Sequence, residues 1–221
     1  MTIGRIILVA ARDLRAERGQ PDGLIAAVTF TAVLILLESL VVGPLTARQP
    51  AIAAALFWIA MSFAAILAAA RSFDRDLEDD AIDAVLVLPG GRDALFAGKA
   101  LALAATVAVV AAVGGALSLV LLSLDVSLPL HLALVTLLGV FALPPVIVLD
   151  IVLALRLRAR AALVPILALP VLVPQLVAAS NGTAAALTGD ATGALAWSGL
   201  LLAFGILYAV LGLALGPAAI D

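Results

Sequence analysis

The chain has 221 residues, of which 65% are hydrophobic and 12% are charged, and its formal net charge is −3. Soluble domains carry roughly 45–50% apolar and about 25% charged residues, so the composition excludes a soluble globular protein. Cysteine is absent, which excludes disulfides, thiolate nucleophiles and thiolate metal sites. Six spans of ~20 residues would leave about 100 residues for all connections, too few for an added catalytic domain.

The membrane spans are predicted from long stretches without charge, because an ionisable side chain at mid-bilayer costs several kcal/mol. Five stretches hold no charge, and a sixth is interrupted only by Glu38. They predict an all-α integral membrane protein, folded as a single transmembrane domain over residues 1–221. The predicted spans are residues 24–43, 50–70, 97–123, 129–154, 161–180 and 194–216.

The leader before the first span, residues 1–23, is predicted to be an interfacial helix. Its apolar core, Ile6–Ala11, is too short for a signal peptide and is followed at once by basic residues. Apolar side chains share one helical face and arginines lie opposite, as in helices that rest on a lipid surface. The apolar face consists of Ile3, Ile6, Ile7, Ala10 and Leu14, and the basic face of Arg5, Arg12 and Arg15.

The basic residues predict the orientation of the chain in the membrane. Eleven of the twelve Lys and Arg residues fall in the leader and in the second-to-third and fourth-to-fifth connections, and only Arg48 falls on the other side. Lys and Arg accumulate in cytoplasmic loops. Both termini are therefore predicted to be cytoplasmic.

The connection between the second and third spans is predicted to form a short amphipathic helix. Its apolar stripe consists of Leu77, Ala81, Ala84, Val85 and Leu88, and its acidic face of Asp76, Asp79, Asp80 and Asp83. Anionic lipid headgroups repel such a face, whereas a basic groove on a protein partner would attract it. A solvated loop is the alternative interpretation.

Around this connection the sequence resembles the haem exporter B family of cytochrome c maturation, which are permease subunits of ABC transporters. The family pattern runs acidic-Arg-x-Phe-x-x-Asp-x-x-Asp-Gly-x-aliphatic-acidic, followed by Leu-Pro and by a Lys that opens the third span. The matching residues are Arg71, Phe73, Asp76, Asp79, Ile82, Asp83, Leu88, Pro89 and Lys99. Ala70 and Asp80 depart from the pattern, and residues 167–174 of the fifth span look similar to the family as well.

The resemblance implies a type-2 ABC exporter architecture, in the bacterial inner membrane, whose coupling helix docks on an ATPase. The residues assigned to that coupling helix are Arg71, Phe73, Asp76, Leu77, Asp79, Ala81, Ile82, Asp83, Val85 and Leu88. The implied partners are an ATP-binding subunit, a haem-handling membrane subunit, a small membrane subunit, a haem chaperone and a second permease copy or an equivalent pairing. Membrane lipid surrounds the chain, no nucleic acid is expected, and haem is cargo of the complex rather than a bound cofactor.

The sequence offers no catalytic or metal-binding motif. It lacks the P-loop pattern, so any ATP hydrolysis is expected to come from another chain. It also lacks H-E-x-x-H and G-x-S-x-G. His131 is the single histidine, so one chain cannot ligate haem through two histidines.

Two carboxylates, Glu38 and Asp150, lie near or within spans and are candidate functional groups by that position. Asp150 is expected to pair with Arg156 or Arg158. Two alternative functions stay open at this point. One is a type-2 ABC permease for another substrate, such as a drug or a lipid. The other is an intramembrane lipid-modifying enzyme that uses Glu38 or Asp150.

Overall fold

The computed structural model describes residues 3–41, 49–78, 85, 90–154 and 160–219, the side chains of 160–167 and 217–219 excepted. These residues form seven long helices, and no strand occurs among them. The helices are α1 (Ile3–Gly19), α2 (Asp22–Val41), α3 (Pro50–Glu78), α4 (Gly91–Leu121), α5 (Pro129–Ala154), α6 (Arg160–Thr188) and α7 (Ala191–Ala219).

The predicted number of spans is confirmed: in the described part of the chain, six helices, α2 to α7, are long and apolar enough to cross a membrane. The largest differences from the predicted bounds are in α3, which continues to Glu78, in α6, which continues to Thr188, and in α4, which begins at Gly91 and not at residue 97. In α6 the polar side chains do not break the helix, because they bond to its own carbonyls. Asn181 Nδ2 donates to Val177 O (2.8 Å) and Thr188 Oγ1 donates to Ala184 O (2.9 Å).

The bundle has two ends. The α1 end carries α1, the end of α3 and the start of α4, and the opposite end carries the α4–α5 and α6–α7 connections. These two connections meet directly, since Ser127 Oγ donates to Leu187 O at 2.7 Å. Helices α3 and α5 are the most buried spans, whereas α2 and α7 lie at the periphery with many exposed apolar side chains.

The centre of the bundle is built around Trp58, a fully buried side chain of α3. Its indole Nε1 donates to Thr183 Oγ1 of α6 at 2.9 Å, so the polar atom is satisfied away from water. Its ring packs against the backbone of α5 at Gly139, where a Cβ atom would lie 2.1 Å from the indole. A side chain at Gly139 is therefore excluded by the indole.

Helix α5 continues through Pro144 and Pro145. Proline lacks the N–H that would satisfy a carbonyl one turn earlier. The two prolines free the carbonyls of Val140 and Phe141. Beside them, Gln175 Nε2 of α6 donates to Ala142 O at 2.7 Å, and this bond ties α6 to the same part of α5.

Candidate functional site

A buried group of charged residues joins three helices at the α1 end. We call Arg12, Asp13, Ser72, Asp76 and Lys99 the Lys99 cluster. Lys99 of α4 is 2% exposed, and its Nζ lies 2.8 Å from Asp13 Oδ2 of α1 and 2.6 Å from Asp76 Oδ2 of α3. The same ammonium donates to Ser72 Oγ at 2.8 Å. The Lys99 side chain thus connects α4, on which it lies, to both α1 and α3.

Arg12 completes the cluster and balances its charge. Its Nη2 lies 2.8 Å from Asp13 Oδ1 and 2.6 Å from Asp76 Oδ2. Burial alone would lower the pKa of the Arg12 guanidinium, but the hydrogen bond to Asp13 and the charge of Asp76 raise its pKa above the ordinary value. Two cations therefore face two carboxylates, and the buried charges compensate each other.

The surroundings of Lys99 are otherwise apolar. Phe73 of α3 is 3% exposed, and the Lys99 ammonium lies 4.8 Å from the centre of its ring, within the range of a cation–π contact. A void of about 20 Å³, large enough for one water molecule, adjoins Asp13, Ser72 and Lys99. Lys99, Asp13 and Asp76 are thus shielded from bulk solvent, whereas the Arg12 side chain is 36% exposed. The shielding strengthens the ion pairs of Lys99 relative to surface pairs.

The position of α1 depends on a glycine next to Lys99. A Cβ atom at Gly98 would lie 2.6 Å from Val9 Cβ and 3.1 Å from the Ile6 carbonyl oxygen of α1. Only a residue without a side chain lets the two backbones approach this closely. The contact brings Asp13, one turn further along α1, to the Lys99 ammonium.

A second polar contact links α1, α2 and α3 beside the Lys99 cluster. Glu17 of α1 pairs with Arg75 of α3 at 3.2 Å. Its other carboxylate oxygen accepts a hydrogen bond from the Leu24 backbone N–H at 2.5 Å, in the first turn of α2. The N-terminal N–H groups of a helix have no partner within the helix, so Glu17 caps α2 while it holds α3.

The structure confirms that the leader is helical, but α1 does more than rest on a lipid surface. Ile3 and Ile7 of the predicted apolar face are 73% and 54% exposed, as expected for contact with lipid. Ala10 is instead buried, and Asp13 is anchored to α4 through Lys99. The apolar face of α1 is therefore divided between the surroundings and the helix bundle.

Half of the coupling-helix residues lie in the described part of the chain. Arg71 is exposed and Phe73 is buried, whereas Leu77 and Val85 are half-buried and pack against the hydrophobic core. Asp79, Ala81, Ile82, Asp83 and Leu88 lie outside the described residues, as does Ala84.

Asp76 differs from its expected place on the acidic face that would meet a basic groove of a partner. Its side chain is buried and ion-paired within the chain. The reason is that α3 continues as a helix through this segment, so Asp76 lies one turn after Ser72 and on the same face, towards Lys99.

The sequence interpretation did not anticipate the ion pairs of Arg12, Asp13 and Lys99. A signal was available, because a lysine at the start of a membrane span needs a carboxylate partner. The leader and the second-to-third connection both supply candidates, and the sequence alone does not choose between them.

The two intramembrane carboxylates are not brought together. Glu38 lies near the end of α2 at the opposite end of the bundle, and Asp150 lies near the end of α5 at the α1 end. Asp150 is buried, and its Oδ2 has no hydrogen-bond partner in the described ranges. Its expected partners Arg156 and Arg158 lie outside those ranges. A paired-carboxylate active site is therefore not formed by Glu38 and Asp150.

These observations define a class of protein: a multi-pass helical membrane protein with a buried ionic junction at one end. Within the described residues, no group of His, Cys, Asp and Glu has the arrangement of a metal site. The family described as CcmB protein matches residues 5–221, and the chain belongs to this family. It is 30% identical over 167 residues to a protein of Rhodobacter capsulatus named Heme exporter protein B, covering 76% of this chain and 77% of that protein.

Proposed function

We propose that the chain is the permease subunit of an ABC transporter complex in cytochrome c biogenesis. In this complex, ATP hydrolysis by a partner chain drives haem export or the release of a haem-loaded chaperone. Membership of the CcmB family and the name of the Rhodobacter capsulatus relative support the link to haem. The absence of a P-loop from the sequence supports a separate ATP-binding chain.

The single observation that carries the coupling part of this proposal is the attachment of the end of α3 to α1 and α4 through the Lys99 cluster. Helix α3 has 29 residues and so is about 43 Å long, which exceeds the ~30 Å hydrocarbon thickness. Its last turns, from Arg71 to Glu78, carry its charged residues and so belong outside the hydrocarbon, next to the acidic connection that the resemblance assigns to ATPase docking. Asp76 lies in this projecting part and is bound to α1 and α4 by Arg12 and Lys99.

This arrangement supports a simple coupling mechanism. A force applied to the segment after Glu78 acts on the end of α3. Because Lys99 bonds to Asp13 and Asp76 together, displacement of α3 either carries α1 and α4 with it or breaks buried ion pairs. Breaking a buried pair costs about 3–5 kcal/mol. Movement of the three helices as a unit is thus the path of lower free energy.

The proposed setting is the bacterial inner membrane, with both termini in the cytoplasm. Further proposed partners are a haem-handling membrane subunit, a small membrane subunit, the haem chaperone and a second permease copy or an equivalent pairing. Haem is cargo in this proposal.

The complex can be tested by purification in mild detergent from a bacterium that makes c-type cytochromes. We expect an ATP-binding chain to copurify, and we expect ATP hydrolysis only in its presence. The purified chain alone is expected neither to bind nor to hydrolyse ATP. Stoichiometric ATP binding by the isolated chain, or normal cytochrome c in a strain lacking the chain, would contradict the proposal.

The orientation has its own test, since the chain contains no native cysteine. Asp125, in the α4–α5 connection, and Gln20, after α1, are both exposed. We expect an impermeant thiol reagent to label Asp125→Cys in intact cells, and Gln20→Cys only after permeabilisation, because basic residues surround Gln20. Labelling of Gln20→Cys in intact cells would show that the orientation of the chain is the opposite of the proposed one.

A further inference from the structure

A cavity of about 180 Å³ lies between α3, α4, α5 and α6 at the opposite end of the bundle. It is larger than the roughly 150 Å³ engineered cavity that binds benzene. We call it the Ser118 cavity. Its lining includes Ala111, Gly115, Ser118, Leu119, Thr136 and Thr183. Its walls are mostly apolar, so it suits a hydrocarbon ligand.

The hydroxyl of Ser118 sets this cavity apart from the rest of the interior. Five hydroxyl side chains are buried in the described part of the chain: Thr31, Ser62, Ser118, Thr183 and Ser198. Three of them donate to the carbonyl four residues earlier, and the fourth, Thr183, accepts from Trp58. Ser118 is 7% exposed, and its Oγ has no partner among the described residues.

A buried hydroxyl without a partner costs free energy, and it therefore indicates a missing acceptor. Ser118 lines the cavity, and so does the Thr183 hydroxyl, which can donate its own proton while it accepts from Trp58. The cavity thus offers hydroxyl donors on an apolar wall. A ligand that fits it is a hydrocarbon chain that carries an acceptor oxygen at one end.

Ser118 lies near the end of its span, and the ester groups of lipids lie near the ends of spans. Ser118 lies three residues before the end of α4 at Leu121, which corresponds to about 4.5 Å along the helix axis. From there the α4 wall of the cavity continues to Ala111, about 10 Å deeper into the bundle. The polar end of the ligand would therefore lie near the membrane surface and its chain would point towards the bilayer centre.

The rim of the cavity is accessible from the side of the bundle. Gly115 and Leu119 of α4 and Thr136 of α5 line it and are only half-buried. Large apolar side chains flank this opening, since Val120 is 75% exposed and Leu137 is 66% exposed. Such a surface faces hydrocarbon in a membrane protein, where lipid chains are the most abundant apolar molecules.

We propose that the Ser118 cavity binds one acyl chain of a phospholipid from the leaflet at the opposite end, with the ester carbonyl accepting a hydrogen bond from the Ser118 hydroxyl. The residues that line this cavity are distinct from those of the Lys99 cluster and of the segment that follows α3. It would place a lipid between α4 and α5, beside the Trp58–Thr183 hydrogen bond that connects α3 to α6.

The proposal can be tested with the full chain in nanodiscs of phosphatidylethanolamine and phosphatidylglycerol. A small fraction of the phosphatidylethanolamine carries a photoreactive diazirine on one acyl chain, attached through an ester in one preparation and through an ether in the other. We expect crosslinks to residues 111–119 of α4 from the ester lipid. The ether lipid lacks the carbonyl, so we expect about 2- to 10-fold fewer crosslinks, the value of one hydrogen bond.

Two variants separate the cavity from the general lipid surface. In Ser118→Ala the ester and ether lipids should crosslink equally. Gly115→Leu should reduce crosslinks at residues 111–119 several-fold, because a Cβ at Gly115 meets no atom within 4 Å and the side chain can fill the cavity. Gly199→Leu on α7 is the matched control, since Gly199 is equally open, and it should leave these crosslinks unchanged.

Three outcomes would overturn the proposal. The first is equal labelling by ester and ether lipids in the wild-type chain. The second is equal labelling of Gly115→Leu and Gly199→Leu at residues 111–119. The third is a Gly115→Leu variant that loses self-association while its lipid crosslinks persist, which would assign the cavity to a second copy of the chain. Thermal unfolding of each variant confirms that the fold is retained before crosslinks are compared.

Discussion

Replacement of Lys99 by methionine is expected to destabilise the chain more than removal of any exposed cation. The methionine preserves the length of the side chain but leaves Asp13 and Asp76 with only Arg12 between them. Loss of one partner from a buried ion pair costs about 3–5 kcal/mol. For a chain of this size, 3 kcal/mol corresponds to a Tm lower by roughly 6–12 °C. Thermal unfolding in detergent measures the shift.

The control variant is Arg18→Met, which removes an exposed cation from the same end of the bundle. We expect its Tm to remain close to that of the wild type, because exposed charges contribute little to stability. The double variant Lys99→Met, Asp76→Asn should recover much of the lost stability. It keeps the ion pair of Arg12 and Asp13, and the remaining charges of the cluster then sum to zero. Equal Tm values for Lys99→Met and Arg18→Met would show that the Lys99 cluster does not hold the three helices together.

The same Lys99 variants distinguish stability from coupling. If the cluster transmits movement from α3 to α1 and α4, the double variant should insert into the membrane and bind the ATPase but remain deficient in cytochrome c maturation. Its ATP hydrolysis should continue without productive transport. Full maturation in the double variant would assign the cluster a role in stability alone.

The second large effect is expected at the segment that follows α3. We predict that Leu77→Asp and Val85→Asp each abolish copurification of the ATP-binding chain. Loss of a buried apolar anchor typically costs at least about 2 kcal/mol of binding free energy, or roughly 30-fold in affinity. A carboxylate in an apolar groove adds a desolvation cost. Quantitative copurification measures the loss, and both variants should also lose mature cytochrome c.

A substitution on the acidic face of this segment, at Asp79, provides the comparison with the two apolar variants. Asp79→Asn should weaken association far less and should mainly reduce its dependence on salt, because a charge at the rim of an interface acts chiefly on the association rate. Leu77 and Val85 also pack against the chain's own core, so the Tm of each variant must be measured. Wild-type binding of the ATPase by both apolar variants would contradict the docking of this segment.

The spans and the clustering of basic residues follow from the sequence alone. The bilayer excludes charge along its whole thickness, so a charge-free stretch of sufficient length predicts a span whatever its neighbours are. The bias of Lys and Arg towards the loops of one side is a separate rule, and Arg12, Arg75 and Lys99 do lie together at the α1 end. Helix ends were less predictable, because Asn181 and Thr188 bond to their own helix and extend α6.

The tertiary structure alone decided which charges meet. Asp13 stands among arginines and Asp76 among other acids in the sequence, and neither position identifies a partner for Lys99. Asp13 reaches Lys99 because α1 approaches α4 at Gly98, a contact between two backbones that has no periodic pattern in the sequence. Asp76 reaches Lys99 because α3 stays helical past Ser72 and is rotated with that face towards α4. Rotation and approach of helices depend on packing with all their neighbours at once, so they are properties of the bundle and not of any one segment.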